Sequence, residues 1–220
     1  MTSIAATELD PTLATGMIEQ IIARVEAVSS VALACDCTVE LPLRAEFPRP
    51  RVYLCLGNVL GSTTTLGAVR LLRILRTTMR PGDSILLGLD VRRAERSSGQ
   101  PMVDDVVPAG SRHVDALALV GTTTGADFDP DRFEYRPSYD AEQQRLETHL
   151  VARRAFSLDV PGVCDVRFRK GESIRTSVRC VFDHTRVSAM LGGVGLMLRH
   201  WTTDAASTYA VALAIPAVSV

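Results

Sequence analysis

Acidic side chains follow two short apolar segments near the start of the chain. Glu8 and Asp10 come after Ile4–Thr7, and Asp36 comes directly after Val31–Cys35. Carboxylates in such places can accept hydrogen bonds from the hydroxyl or amine groups of a ligand. The same residues can also do nothing more than begin a helix or end a strand. Both interpretations stay open from these residues alone.

The other residue types that carry chemistry form no recognisable site. The cysteines match no zinc-binding spacing, and the histidines are scattered along the chain. Asp127, Asp129 and Asp131 alternate like calcium ligands, but the glycine and distal glutamate of an EF-hand are missing. The sequence also lacks a nucleophile elbow, a paired-carboxylate signal and a phosphate-binding loop. We therefore expect no metal site.

Composition and charge restrict the classes of function. The chain has 220 residues, of which 46% are hydrophobic and 22% are charged, so it can bury the core of one large domain. The formal net charge of −1 gives no overall attraction for nucleic acid. Apolar runs are too short to span a bilayer, and the first residues lack the pattern of a signal peptide. We expect a cytoplasmic protein that binds neither nucleic acid nor membrane.

Short apolar runs alternate with helical patterns in the first half of the chain, which is typical of a parallel α/β sheet. Strands are predicted at Ile4–Thr7, Val31–Cys35, Val52–Leu56 and Ser84–Leu89. Helices are predicted over 11–28, within 106–120, and from the spacing of Leu66, Val69, Leu72 and Leu75, with Arg70, Arg73 and Arg76 on a solvated face.

The pattern changes to antiparallel strands from Arg145 onward. Strands are predicted at Leu146–Arg154, Val163–Phe168, Ile174–Phe182, Leu196–Trp201 and Tyr209–Ile215, and a short helix at Thr185–Gly193. Turns at Pro161-Gly162 and Lys170-Gly171 separate the first three of these strands.

Five segments carry a specific resemblance to a known family. They are Arg80–Asp90 (RPGDSILLGLD), Gly125–Phe133 (GADFDPDRF), Tyr139–Arg154 (YDAEQQRLETHLVARR), Lys170–Thr176 (KGESIRT) and Arg199–Asp204 (RHWTTD). In letters, order and spacing they resemble segments of the histidine Nα-methyltransferases, which use S-adenosylmethionine on the route to ergothioneine. The resemblance covers the chain from about residue 50 to the end and extends back to about residue 5.

The resemblance implies an α/β fold with a Rossmann-like class I methyltransferase sheet and a small β-rich inserted region. It divides the chain into a partial Rossmann-like cofactor domain (1–105), a β-rich insertion resembling a substrate domain (106–182), and a closing helix and strands of the core sheet (183–220). Such a sheet binds its cofactor at the carboxyl ends of its strands.

S-adenosylmethionine is the cofactor that the resemblance implies. Glu8 would bind its ribose hydroxyls, Asp36 its adenine amine, and Cys37 would flank the adenine ring. Gly57, which follows the third predicted strand, completes the set of cofactor-binding candidates.

The family's first strand and its glycine-rich turn have no counterpart here, because the segment before Glu8 is too short to contain them. Loss of this central strand would leave unpaired backbone groups and exposed apolar side chains. We therefore expect a homo- or hetero-oligomer that completes the sheet. A second polypeptide, a dimer through the open edge and a longer gene product are the three alternatives.

The positions with which the family recognises histidine carry other residues in this chain. Ser62 stands in place of an asparagine that contacts the substrate amine, and Val103 in place of a tyrosine. Ser177 and Arg179 stand in place of a glutamate and a serine that bind the imidazole. A site that has lost its hydrogen-bonding groups for one substrate discriminates against it. We expect a small-molecule substrate other than histidine, with Arg179 either near an anionic or carbonyl group or exposed on its strand.

Three functions are compatible with these residues, and none identifies a catalytic side chain. The first is an N-methyltransferase that a partner chain completes. The second is a non-catalytic pseudo-methyltransferase. The third is an enzyme of specialised metabolism that uses the pocket for different chemistry.

Overall fold

The chain forms two compact units. The computed structural model describes residues 2–8, 15–16, 19–20, 28–34, 48–91, 117, 119–162 and 164–217. Unit 1 comprises Met1–Val91 and Phe182–Val220, and unit 2 comprises Arg92–Val181. Within the described residues, no helix is long and apolar enough to cross a lipid bilayer.

The strands in chain order are β1 (Thr2–Glu8), β2 (Val28–Ala34), β3 (Val52–Cys55), β4 (Ser84–Asp90), β5 (Phe133–Asp140), β6 (Arg145–Ala152), β7 (Phe156–Val160), β8 (Cys164–Phe168), β9 (Ser173–Cys180), β10 (Leu196–Thr203) and β11 (Tyr209–Pro216). The helices are α1 (Thr65–Thr78) and α2 (His184–Gly192), with short 3-10 turns at Val59–Ser62 and Pro130–Arg132. Residues 15–16, 19–20 and 119–124 are also helical.

Unit 1 contains two sheets. In the four-stranded sheet the order is β10-β11-β4-β3, with β3 and β4 parallel and the other two pairings antiparallel. β1 and β2 form a separate parallel pair, in which Thr2 is level with Val28 and Glu8 with Ala34. The predicted α/β class is thus confirmed. The predicted helix over 11–28 is wrong at its end, because Val28 already belongs to β2.

The core of the four-stranded sheet lies on one face. Ile85, Leu87 and Leu89 of β4 are fully buried, as are the alternate alanines Ala210, Ala212 and Ala214 of β11. The alternation places these side chains on the same face, since successive residues of a strand point to opposite sides. Small alanines on β11 leave room for the larger leucines beside them.

Helix α1 buries Ala68, Leu71, Leu72 and Leu75. Its amino end is capped by the Thr64 hydroxyl, which accepts a hydrogen bond from the Gly67 amide at 3.2 Å. The predicted buried stripe is partly wrong, because Leu66 is 76% exposed. Arg76 also departs from the predicted solvated face, since its Nε donates to the Gly195 carbonyl at 2.9 Å.

Asp83 joins the turn after α1 to the start of β3. The carboxylate is buried, accepts from the amides of Arg51 at 2.8 Å and Arg80 at 2.9 Å, and pairs with the Arg49 guanidinium. Burial alone would raise the pKa of this carboxyl, but the two amides and Arg49 outweigh burial and hold the pKa below its ordinary value.

Unit 2 is rich in β-strands, as predicted for the inserted region. Its three-stranded sheet has the order β5-β6-β9, and β7 and β8 form an antiparallel hairpin. Leu117, Phe133 and Leu150 are buried together. The Phe133 ring lies edge-on to Phe156 and Phe168, with centroids 5.5 Å apart in each case. Such edge-to-face contacts stabilise a core beyond the burial of area alone.

Two strands of unit 2, β5 and β7, are absent from the sequence predictions. β5 carries Pro137 and several charged residues, which weaken the strand pattern. A proline is tolerated there because β5 is, among the described strands, an edge strand of the sheet.

Candidate active site

The carboxyl ends of β1 and β2 lie side by side. The pair is parallel and in register to its last residues, Glu8 and Ala34. Glu8 is thus level with the end of the neighbouring strand, two positions before Asp36. Asp36 and Cys37, the predicted adenine contacts, lie outside the described residues. The backbone therefore brings the predicted ribose acid and the segment before the adenine residues to one edge.

A tight loop closes the carboxyl ends of β3 and β4. Gly57 has φ +74°, a conformation that favours glycine, and its amide donates to the Tyr209 hydroxyl at 3.0 Å. The Asn58 backbone lies in the left-handed region with φ 60°, and its backbone N–H donates to the Gly88 carbonyl at 3.0 Å. Gly88 leaves space for the tyrosine, because a Cβ there would lie 2.0 Å from the Tyr209 hydroxyl.

The Asn58 side chain bridges the two strand ends. Its Nδ2 donates to Asp90 Oδ2 at 2.7 Å, and its Oδ1 accepts from the Asp90 amide at 3.1 Å. Asn58 is 7% exposed. Gly61 is required beside it, because a Cβ at Gly61 would lie 2.2 Å from Asn58 Nδ2. This two-point contact fixes the loop that begins with Gly57, a predicted cofactor residue.

Sequence reasoning did not identify Asn58 as a site residue. The available signals were its position directly after a glycine at a strand end and its ability to adopt a positive φ. Ser62, the predicted substrate residue of this loop, is exposed at the end of the 3-10 turn, and its hydroxyl donates to the Val59 carbonyl at 2.8 Å. Val103 lies outside the described residues.

A cluster of hydroxyl groups lies on β6 and β9. The hydroxyl of Thr148, a residue only 2% exposed, is 2.8 Å from that of Ser177 and 3.0 Å from that of Thr176. Ser177 is level with Thr148, and Arg179 is level with Leu146. Since level residues of paired strands point to the same side, both predicted substrate residues share one face of the sheet. Arg179 is exposed on that face.

The opposite face of β6 is charged. Glu147 Oε1 lies 2.8 Å from Arg145 Nη2 and 3.1 Å from Arg175 Nη1, and its Oε2 lies 3.6 Å from His149 Nε2. Alternation along β6 separates this cluster from Thr148. The sheet therefore carries the hydroxyl cluster on one side and the ion pairs of Glu147 on the other.

An open groove runs beside β7 and β8. Arg167, Arg169 and Lys170 line it together with the rings of Phe156 and Phe168. The groove contains none of the residues that the sequence predicts to bind cofactor or substrate. It is a basic surface of unit 2, distinct from the hydroxyl cluster.

A family model described as histidine-specific, SAM-dependent methyltransferase matches residues 6–216. The chain belongs to this family. The resemblance of the five sequence segments is thereby confirmed, and so is S-adenosylmethionine dependence as the property of the family.

Two curated members of the methyltransferase family are similar to this chain. The histidine N-alpha-methyltransferase of Mycolicibacterium smegmatis is 34% identical over 174 residues, which are 75% of this chain and 52% of that protein. The protein of the same name from Mycobacterium tuberculosis is 33% identical over 180 residues, 77% of this chain and 54% of its own length. The chain spans about half the length of the curated relatives it matches.

A solved structure identifies the fold. The CcbJ methyltransferase from Streptomyces caelestis is 14% identical, with a TM-score of 0.52 over 97% of this chain and 74% of that one. At this identity the similarity shows the fold alone. It confirms the predicted class I methyltransferase architecture.

Proposed function

We propose that this chain supplies the adenosine side of the cofactor site and a substrate-recognition face of an S-adenosylmethionine-dependent N-methyltransferase. Its substrate would be the amine of a small metabolite other than histidine, and a further polypeptide segment would complete the cofactor site. The observation that carries the substrate proposal is the hydroxyl cluster of Thr148, Thr176 and Ser177.

The hydroxyl cluster supports a substrate without a cationic ring. In the family segments that this chain resembles, a glutamate occupies the position of Ser177. The Ser177 hydroxyl is already engaged with the Thr148 hydroxyl at 2.8 Å. A hydroxyl carries no charge to attract an imidazolium, whereas hydrogen bonds to charged groups are worth about 1.5–3 kcal/mol. Ser177 would therefore bind a neutral polar group of the substrate.

The ends of β1 and β2 fit the adenosine half of the cofactor. Glu8 ends its strand level with Ala34, so an acid and the segment leading to Asp36 meet at one edge. Glu8 would hold the ribose hydroxyls and Asp36 the adenine amine. Among the described residues, none forms a glycine-rich cradle for the methionine half, which is why the proposal includes a further segment.

S-adenosylmethionine, when bound, supplies a methyl group that is electrophilic because its sulfur is a sulfonium. The chain's own contribution is to orient an uncharged amine rather than to activate it by acid or base. Asn58 and Asp90 hold the loop at the ends of β3 and β4, and Thr148 holds Ser177 in place.

A methyl-transfer assay tests the proposal. The full chain is mixed with the part of the Mycolicibacterium smegmatis relative that lies outside its matched region. Labelled S-adenosylmethionine is then offered with histidine and with small amines that carry neutral or anionic side groups. We expect transfer to the other amines at a higher kcat/KM than to histidine. A preference for histidine would overturn the substrate proposal, and absence of both cofactor binding and transfer would overturn the methyltransferase proposal.

A variant sharpens the assay. Ser177→Glu restores the carboxylate that the family resemblance has at this position, and should shift selectivity toward histidine by about tenfold, the equivalent of 1.4 kcal/mol. Ser173→Glu is the matched control, because Ser173 lies on the same strand but is exposed and level with Val151 on the opposite face. It should leave the selectivity unchanged.

A further inference from the structure

The groove of unit 2 combines positively charged side chains with aromatic rings. It has a volume of about 930 Å³ and lies at the end of the β7–β8 hairpin where β7 begins and β8 ends. Arg167, Arg169 and Lys170 supply the cations, and Phe156 and Phe168 supply the rings. The volume falls within the roughly 300–1,000 Å³ that is common for small-molecule sites. Every lining residue belongs to unit 2, so that unit forms the groove by itself.

The two rings of the groove are held in place by the core of unit 2. Phe156 and Phe168 are level across the hairpin, and their rings stack with centroids 4.9 Å apart and planes 21° apart. The ring of Phe133, which is 3% exposed, lies edge-on to both of them. Both groove rings remain partly exposed. The groove therefore has an apolar wall that the core fixes, and a planar ligand ring can pack against it.

A hydrogen-bonded turn fixes the backbone that carries two of the cations. The Glu172 backbone N–H donates to the Arg169 carbonyl at 3.0 Å, and Glu172 Oε2 accepts from the Arg169 backbone N–H at 2.8 Å. Gly171 has φ +85°, which favours glycine at the third position of a turn. Its N–H donates to the carbonyl of Ala152, the last residue of β6, at 2.8 Å. The turn is therefore tied to the three-stranded sheet.

The groove carries an excess of positive charge in a chain whose formal net charge is −1. Arg167, Arg169 and Lys170 contribute three positive charges and Glu172 one negative charge, which leaves a net charge of +2. Within the described residues, no hydrogen bond or ion pair engages the side chains of these three cations. A phosphate monoester carries about −1.5 to −2 charges at pH 7, and arginine binds phosphate oxygens in pairs. One phosphate group would therefore balance the charge of the groove.

We propose that this groove binds a small phosphate monoester that carries a planar ring. The phosphate would lie among Arg167, Arg169 and Lys170, and the ring would pack against Phe156 and Phe168. The site is separate from the methyl-transfer site, and it stands whether or not the proposed function holds.

A long polyanion fits the hairpin less well than a small ligand. The opposite end of the hairpin carries Asp159 and Asp165, which are exposed and level with each other. Like charges repel, so a nucleic acid or an acidic peptide that extended along the hairpin would meet these carboxylates. The basic surface is thus limited to one end, where it suits a single anionic group.

A titration of the full chain tests the proposal. The probe is phenyl phosphate, which has the ring and the phosphate but no adenosine, and its binding is followed by backbone amide resonances. We expect shifts at Arg167, Phe168 and Arg169. Inorganic phosphate lacks the ring and phenol lacks the phosphate, so each should bind at least about tenfold more weakly than phenyl phosphate.

Two variants separate the contributions of charge and ring. The double variant Arg169→Gln with Lys170→Gln should weaken binding of phenyl phosphate by about tenfold or more. Arg73→Gln, at an exposed arginine of α1 in unit 1, is the matched control and should have no effect. Phe168→Leu should leave binding of inorganic phosphate unchanged and reduce the preference for phenyl phosphate to less than about threefold. Unchanged binding of inorganic phosphate also shows that this variant keeps its fold.

Four outcomes would overturn the proposal. The first is absence of binding, and the second is equal affinity for phenyl phosphate and inorganic phosphate. The third is a set of shifts confined to β6 and β9, which would place the probe at the predicted substrate residues instead. The fourth is an undiminished affinity of the Arg169→Gln, Lys170→Gln double variant. Tighter binding of an oligoglutamate peptide than of phenyl phosphate would also overturn it, because the groove would then be a surface for acidic peptides.

Discussion

The two units differ in how completely they bury their large apolar side chains. Unit 2 buries Phe133 and Leu150 in one cluster, and the partly buried rings of Phe156 and Phe168 pack against it. Unit 1 buries one face of its four-stranded sheet and leaves Val52 and Leu54 more than half exposed on the other. Exposed aliphatic residues in a row on a parallel strand are unusual in a finished sheet. The comparison shows that unit 2 buries its central apolar side chains, whereas the described part of unit 1 leaves one face of β3 exposed.

The largest expected effect tests whether the core of unit 2 is closed. Phe133→Ala removes a 3% exposed ring with edge-on contacts to two others. We expect a loss of about 4 kcal/mol in the free energy of unfolding of unit 2, because the cavity adds to the lost burial. Hydrogen exchange of the β6 amides measures it. Leu119→Ala, at a 68% exposed position, should cost about 0.5 kcal/mol or less. Equal losses for the two variants would contradict an enclosed core.

The next effect concerns the buried acid of unit 1. Asp83→Asn leaves the Arg51 and Arg80 amides and the Arg49 guanidinium with a neutral acceptor, and should cost about 2 kcal/mol. The single tryptophan, Trp201, lies in unit 1 and reports its unfolding by fluorescence.

The pH dependence of this acid has a definite sign. The pKa of Asp83 is lower in the folded state than its ordinary value of 3.8. Its stabilisation is therefore fully present above that value and is lost as the pH falls through the lower folded pKa. The wild type should lose stability more steeply than Asp83→Asn below about pH 4. Asp159→Asn, at an exposed acid of β7, serves as control. An identical acid profile for wild type and Asp83→Asn would refute this account.

A smaller effect tests the loop at the ends of β3 and β4. Gly61→Ala would bring a Cβ within 2.2 Å of Asn58 Nδ2, so the amide must leave Asp90. We expect a loss of about 1–2 kcal/mol for the broken contacts, measured by Trp201 fluorescence in urea. Gly192→Ala is the control, since a Cβ there meets nothing within 4 Å at the end of a helix. That change should be neutral or stabilising. A Gly61→Ala protein as stable as wild type, with unchanged Asn58 side-chain resonances, would contradict the role of the bridge.

The sequence predicted the elements whose apolar pattern is local. The runs of β3, β4 and β11 stand out because their aliphatic residues are contiguous and bounded by turns. β5 was not predicted because Pro137 and its charged neighbours do not resemble a strand pattern. An edge strand tolerates such residues, but a short segment of sequence does not show whether its strand lies at an edge of the sheet. For α1, periodicity gave the helix but misassigned Leu66, since which residues are buried depends on the strand beneath.

The candidate site was also predicted only in part, because local sequence does not show which distant residues the fold brings together. The resemblance of segments identified five candidates that lie within the described residues: Glu8, Gly57, Ser62, Ser177 and Arg179. The structure places each of them at a strand end, in a loop or on a strand. Their binding roles stay predictions. Asn58 was not predicted because its partner Asp90 lies 32 residues away in sequence. Contacts between distant residues arise from the fold and leave little trace in local spacing.

The smallest expected effect tests the comparison most directly. Leu54 and Leu87 lie on adjacent strands of one sheet, one 63% exposed and the other fully buried. Leu54→Ala should cost less than about 0.5 kcal/mol, because water already covers most of its side chain, whereas its control Leu87→Ala should cost about 3 kcal/mol. Urea unfolding followed at Trp201 measures both. A large cost for Leu54→Ala in the isolated chain would mean that the face of β3 is covered in solution. If that cost grew with protein concentration, the cover would be a second copy, because only association makes stability depend on concentration.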